Sequence, residues 1–78
     1  MPRNLEKRLR VADIYAEVGD WSKVEYHLQH CFRLNEHDTR VLEKLIVLYK
    51  EKREAKMVAR YEKKLSLLKS HNSKPRNS

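Results

Sequence analysis

Glycine and proline are nearly absent, with one Gly and two Pro in 78 residues. A β-sandwich or barrel needs turn residues every ~8–12 positions, so the scarcity argues against those folds. Gly19 stands alone and cannot build a glycine-rich phosphate loop. The single cysteine, Cys31, excludes an internal disulfide framework and fits a reducing compartment. The longest apolar run, Leu45-Ile46-Val47-Leu48-Tyr49, falls far short of the ~20 residues of a membrane span. Met1-Pro2-Arg3-Asn4 opens no apolar stretch, so no secretory signal is expected. These exclusions point to an all-α, intracellular, cytoplasmic unit with a core so small that a partner or further copies would help it.

Charge, by contrast, is plentiful. Charged residues make up 37% of the chain, and the net charge is +7. Residues 1–38 hold six bases against seven acids, whereas residues 39–78 hold twelve against four. An acidic partner would therefore be sought by the second half.

Apolar spacing predicts four helices. The first covers 5–18, with Arg8, Val11, Ala12, Tyr15 and Val18 on one face and Gly19 as its left-handed cap. The second covers 21–34, capped by Asp20 or Ser22, with Trp21, Val24, Leu28, Cys31 and Phe32 in its stripe. The third covers 39–52, capped by Asp38 or Thr39, with Leu42, Leu45, Ile46 and Tyr49 in line. The fourth covers 54–70, with Val58, Tyr61, Leu65 and Leu68 in line. Residues 1–4 read as a lead, and 71–78 as a disordered basic tail. Connections this short join antiparallel neighbours, so the chain reads as two successive helical hairpins.

The hairpins repeat. With Tyr15 placed over Tyr49, an offset of 34 residues, Val11 falls on Leu45, Ala12 on Ile46, Val24 on Val58, Cys31 on Leu65 and Leu34 on Leu68. This period, together with Val11-Ala12-Asp13-Ile14-Tyr15, Gly19-Asp20-Trp21 and the Val24, Leu28, Cys31 and Leu34 series, resembles the tetratricopeptide repeat. The resemblance divides the chain into repeats at 5–38 and 39–70. Arg8 replaces the large residue usual early in the first helix, and Glu36 the usual Pro. In the second repeat Ile46 is bulky where the motif is small, Arg53-Glu54 replaces Gly-Asp, and Glu62 stands where an aromatic is usual.

The resemblance implies a short α-solenoid acting as a protein-interaction adaptor, with a peptide or helix held in a concave groove. Carried over by position, the groove residues are Glu6, Leu9, Asp13, Ala16 and Glu17, then Arg40, Glu43, Val47, Lys50 and Glu51. Helical phase independently sets Val47 away from the third helix's stripe and Leu9 off the flank of the first. The best-known members hold the acidic tails of heat-shock chaperones through a clamp of Lys and Asn. Here Leu9 and Asp13 stand where the first of these would be, so a basic or apolar segment is expected instead.

Lys56, Arg60, Lys63 and Lys64 form one basic face of the fourth helix, which would suit phosphates if the chain were a small nucleic-acid-binding protein. It would equally serve as the solvated side of an amphipathic helix. Aromatics free for base stacking are lacking. His27, His30 and Cys31 share a helix, but no fourth ligand is evident, so neither metal nor cofactor is expected. No nucleophile has a recognisable base and orienter, and no enzyme is proposed. The apolar surplus of the second hairpin predicts a homodimer through that hairpin, or a partner's helix covering it.

Overall fold

The computed structural model describes residues 2–72, with side chains from 4 to 70. Four helices form: α1 (Pro2–Glu17), α2 (Trp21–Leu34), α3 (Thr39–Glu51) and α4 (Ala55–Asn72). There is no strand among the described residues. α1 begins three residues before the expected start, and Pro2 suits a first helical position because its missing N–H would have no partner there. α4 continues to Asn72, and the rest of the expected tail, residues 73–78, lies outside the described residues.

Each helix packs chiefly on its neighbours in sequence, giving two hairpins stacked through α2 and α3. α1 and α3 lie side by side, bridged by ion pairs from Arg40 to Glu6 and from Lys44 to Asp13. On the other side α2 meets α4, where Phe32 stands edge-on to Tyr61 with ring centres 5.5 Å apart. The result is a slab of 45 × 31 × 18 Å, whose thin dimension matches two layers of helices.

The stripes of α2 and α3 are buried as expected apart from Trp21 and Phe32, which are half-buried, with Val24, Leu28, Cys31, Leu42, Leu45 and Tyr49 each at most 3% exposed. α3 is covered more widely than its stripe, since Val41 and Leu48 are also buried. This follows from its place between α2 and α4. The phase of α1 is corrected. Its buried series is Leu5, Leu9 and Ala12, with half-buried Tyr15 and Ala16 packed against it, whereas Val18 is 73% exposed. Val18 falls just beyond the last helical residue, so helical periodicity no longer governs where it points.

The two hairpin turns share one backbone design. Gly19 N–H donates to Ala16 O and Asp20 N–H to Tyr15 O, both at 3.0 Å. Thirty-four residues on, Arg53 N–H donates to Lys50 O and Glu54 N–H to Tyr49 O. This pairing defines a Schellman cap, which requires a left-handed residue at its centre. Gly19 has φ +76° and Arg53 φ 60°. Glycine adopts that conformation freely, while a residue with a Cβ is strained there by ~1–2 kcal/mol. Arg53→Gly is therefore expected to stabilise the fold by ~0.5–1 kcal/mol, after the entropic cost of a new glycine. Urea denaturation measures this, and a variant no more stable than the parent would show that the second turn holds no strain.

The N-caps settle on Asp20 and Asp38. The Asp38 carboxylate accepts from the Arg40 backbone N–H and from its guanidinium, each at 2.9 Å. The guanidinium bonds, with help from the backbone, hold Asp38 below the usual carboxylate range. A depressed acid contributes stability above its unfolded pKa and loses it as pH falls through the folded one. Asp38→Ala should therefore cost ~1 kcal/mol at neutral pH. The deficit should disappear in strongly acid solution, where the native carboxyl is protonated. A deficit that persists unchanged in acid would mean that the carboxylate's charge is not what stabilises α3.

Candidate functional site

The groove between α1 and α3 is closed at its edges by charge. Arg40 Nη1 reaches Glu6 Oε2 at 3.3 Å, and Lys44 Nζ reaches Asp13 Oδ1 at 2.8 Å. Glu6 and Arg40 are 34 residues apart and so hold the same place in successive repeats. Exposed pairs of this kind contribute ~0–1 kcal/mol each, so their main effect is on the register of the two helices.

Beside these pairs lies a pocket of about 300 Å³. Ala12, Asp13 and Ala16 line it from α1, Trp21, Val24 and Leu28 from α2, and Glu43, Lys44 and Val47 from α3. The small Ala12 and Ala16 leave the room. Val47 is 54% exposed, an apolar side chain in reach of solvent at the pocket.

Several expected groove residues are placed otherwise. Leu9, expected off the core, is only 5% exposed and belongs to the core of α1. Its partners Leu5 and Ala12 lie four residues before it and three after, so the three form one helical face. Lys50 turns from the groove to α4, with its Nζ 3.8 Å from Glu62 Oε2. Glu43 lines the pocket and also pairs with Lys69 at 3.6 Å. Glu17 and Glu51 are exposed. Trp21 and Lys44 were not singled out for the groove by sequence. Trp21 is in the core stripe of α2 yet half-buried, and pairing Lys44 with Asp13 requires knowing which helices are adjacent.

Internal pairing changes the chemistry of the groove. Glu6, Asp13 and Glu43 each already meet a cation of the chain, which weakens the expected preference for a basic segment. What the groove offers is an apolar cavity between compensated charges.

Behind the groove, a polar cluster ties three helices together. Tyr49 Oη donates to Glu25 Oε2 at 2.8 Å, and Gln29 Nε2 donates to the hydroxyls of Tyr49 and Tyr61 at 3.0 and 3.2 Å. Lys52 reaches Glu25 at 3.5 Å, and the Tyr49 and Tyr61 rings stack 5.8 Å apart. Burial, and then the Glu25 carboxylate, push the Tyr49 hydroxyl well above the ordinary tyrosine range. It stays protonated and serves as a donor that fixes the seam.

On α4, Lys56, Arg60 and Lys63 are exposed and Lys64 half-buried, and none of the four joins an ion pair among the described residues. On α2, Cys31 is fully buried, and burial pushes its thiol up from the ordinary range. No group of three or more His, Cys, Asp or Glu residues is placed to hold a metal among the described residues. No helix there is long and apolar enough to cross a membrane. The apolar surplus of the second hairpin is largely used within the chain, leaving Val47 and Leu67 as its exposed large apolar residues among those described.

Fold and groove together define an all-α protein of stacked helical hairpins. The chain matches no known family model, no curated protein and no solved structure.

Proposed function

We propose that this chain is a two-repeat, tetratricopeptide-like interaction module that seats an apolar-anchored segment of a partner protein in the groove between α1 and α3. The observation that carries this reading is Val47, exposed beside an apolar pocket of about 300 Å³ whose flanking charges are already paired. The repeat assignment is supported by the turn geometry at Gly19 and Arg53, which recurs at the same 34-residue offset as the apolar pattern. A solenoid of this kind presents a concave surface as a consequence of stacking.

The test uses the chain's one tryptophan, Trp21, which lines the pocket. Random 12-residue peptides displayed on phage would be selected against the intact chain and the best of them synthesised. They should share a large apolar side chain and shift Trp21 emission. Val47→Glu should weaken them about tenfold or more, a loss of ~1.4 kcal/mol. At so exposed a position the substitution should leave stability within ~0.5 kcal/mol. Peptides that bind Val47→Glu as well as the parent would place recognition outside the groove.

A second reading, nucleic-acid binding, rests on Lys56, Arg60, Lys63 and Lys64 of α4, which join no ion pair among the described residues. The triple variant Lys56→Glu, Arg60→Glu and Lys63→Glu should keep the helical circular-dichroism signal and abolish salt-sensitive binding to random duplex DNA or RNA. Failure of the parent to bind either at low salt would remove this reading. Self-association through the second hairpin would place Leu67, 62% exposed, at the contact. Sedimentation equilibrium should then show mass rising with salt, as the surplus of twelve bases over four acids in residues 39–78 is screened. A strict monomer at all salt concentrations would end that version.

A further inference from the structure

A second pocket, of about 420 Å³, opens between α1 and α2, and none of its lining residues comes from α3 or α4. It is lined by Asn4, Lys7, Arg8, Val11, His27, His30 and Leu34. No acid is among them. Five cations elsewhere meet carboxylates, at Lys23, Arg40, Lys44, Lys50 and Lys52. Here the Arg8 guanidinium meets an imidazole, and Arg33, outside the lining, meets another that lines the pocket. Arg8 Nη1 donates to His27 Nδ1 at 3.3 Å, and Arg33 Nη2 donates to His30 Nδ1 at 3.2 Å.

Those two bonds determine the chemistry. An arginine has no acceptor and cannot give up its proton, so each Nδ1 must be the acceptor. The neutral imidazole proton then sits on Nε2, and each histidine becomes a donor by its free nitrogen. Each guanidinium has further N–H groups to offer, and Lys7 adds an exposed ammonium. The pocket thus combines cations and donors with no carboxylate to compete for them. The groups facing His30 are the charged Arg8 from α1 and Arg33 from α2 and the titratable His27 from α2, and Arg8 foremost holds His30 below the ordinary histidine range. Such a cluster repels itself, and a dianion placed in it would remove that repulsion.

We propose that this pocket binds the phosphate of a small phosphate monoester, with Lys7, Arg8, His27 and His30 on the dianion and Val11 and Leu34 against the organic carrier. Arginine suits the phosphate because its planar fork gives paired hydrogen bonds to phosphate oxygens. The carrier is inferred from size, since about 420 Å³ falls within the roughly 300–1,000 Å³ of small-molecule sites and two of the walls are apolar. The site is independent of the α1–α3 groove and does not rest on its reading.

The test is an NMR titration of the full chain, following the imidazole Cε1–H signals at constant ionic strength. The probes are inorganic phosphate, glycerol 3-phosphate and O-phosphoserine, with sodium chloride as the control. Saturable shifts of the His27 and His30 signals are expected with the phosphates, while exposed His37 stays put. Both monoesters should bind more tightly than inorganic phosphate. Arg8→Gln, which keeps much of the side-chain stem, should weaken binding about tenfold or more. If Arg8→Gln fails to fold, Lys7→Gln, at an exposed position, carries the test with an expected loss of at least about threefold. Equal shifts at every histidine, or the same shifts with chloride, would overturn the site. Equal affinity for inorganic phosphate and the monoesters would overturn the carrier.

Discussion

Leu28→Ala is expected to destabilise the protein by ~2–5 kcal/mol, the range for leucine truncation in a packed core. Leu28 is 1% exposed, in the middle of the helix that meets both α1 and α3. Its methyl groups also form part of the wall of the α1–α3 pocket, so the variant opens a void that joins this pocket. A chain of this size has ~4–12 kcal/mol in hand at ~0.05–0.15 kcal/mol per residue. The variant should therefore melt at least about 8 °C below the parent. A midpoint within a degree or two of the parent would remove Leu28 from the core.

Tyr61→Ala should be as severe, at ~3–5 kcal/mol. α4 carries 18 residues, yet among its described side chains Tyr61 is the one fully withdrawn from solvent, at 4% exposure. Its ring stacks on Tyr49 and meets Phe32 edge-on, so one side chain ties α4 to both α2 and α3. Val58, Leu65 and Leu68 add partial burial only. Truncation should loosen α4 ahead of the rest, seen as faster amide exchange in α4 than in α2. Tyr61→Phe keeps the rings and loses one bond from Gln29, so it should cost only ~0.5–1.5 kcal/mol. Equal losses for Ala and Phe would mean that the hydroxyl, not the ring, holds α4.

Much of the fold is legible in the residues because helix boundaries are local matters. Gly19, Asp20 and Asp38 announce a cap and two starts, and the stripe of α2 is unambiguous. α1 is harder because Leu5 and Leu9 lie on one side and Val11, Tyr15 and Val18 on another, with Ala12 between them and readable with either. Periodicity alone weighs these faces by bulk. The structure buries the first, where Ala12 and Ala16 leave room beside α2 and α3. That choice moved Leu9 into the core. The groove was legible as a row of positions but not as chemistry. Whether Lys44 quenches Asp13, or Lys50 turns to Glu62, depends on side chains brought together from separate helices. The pocket beside Arg8 is not legible in the residues for the same reason, since His27 and His30 gain their meaning only when α1 lies against α2.

Packing of each helix chiefly on its neighbours in sequence has a kinetic consequence. Few contacts need a long loop to close, so contact order is low, and such helical chains fold in microseconds to milliseconds. Coupling between the hairpins passes mainly through α2 and α3, as in a one-dimensional chain of nearest-neighbour units. A substitution that loosens this principal junction should therefore weaken the coupling of the two halves, with the α1–α3 ion pairs and the Phe32–Tyr61 contact left to hold them together.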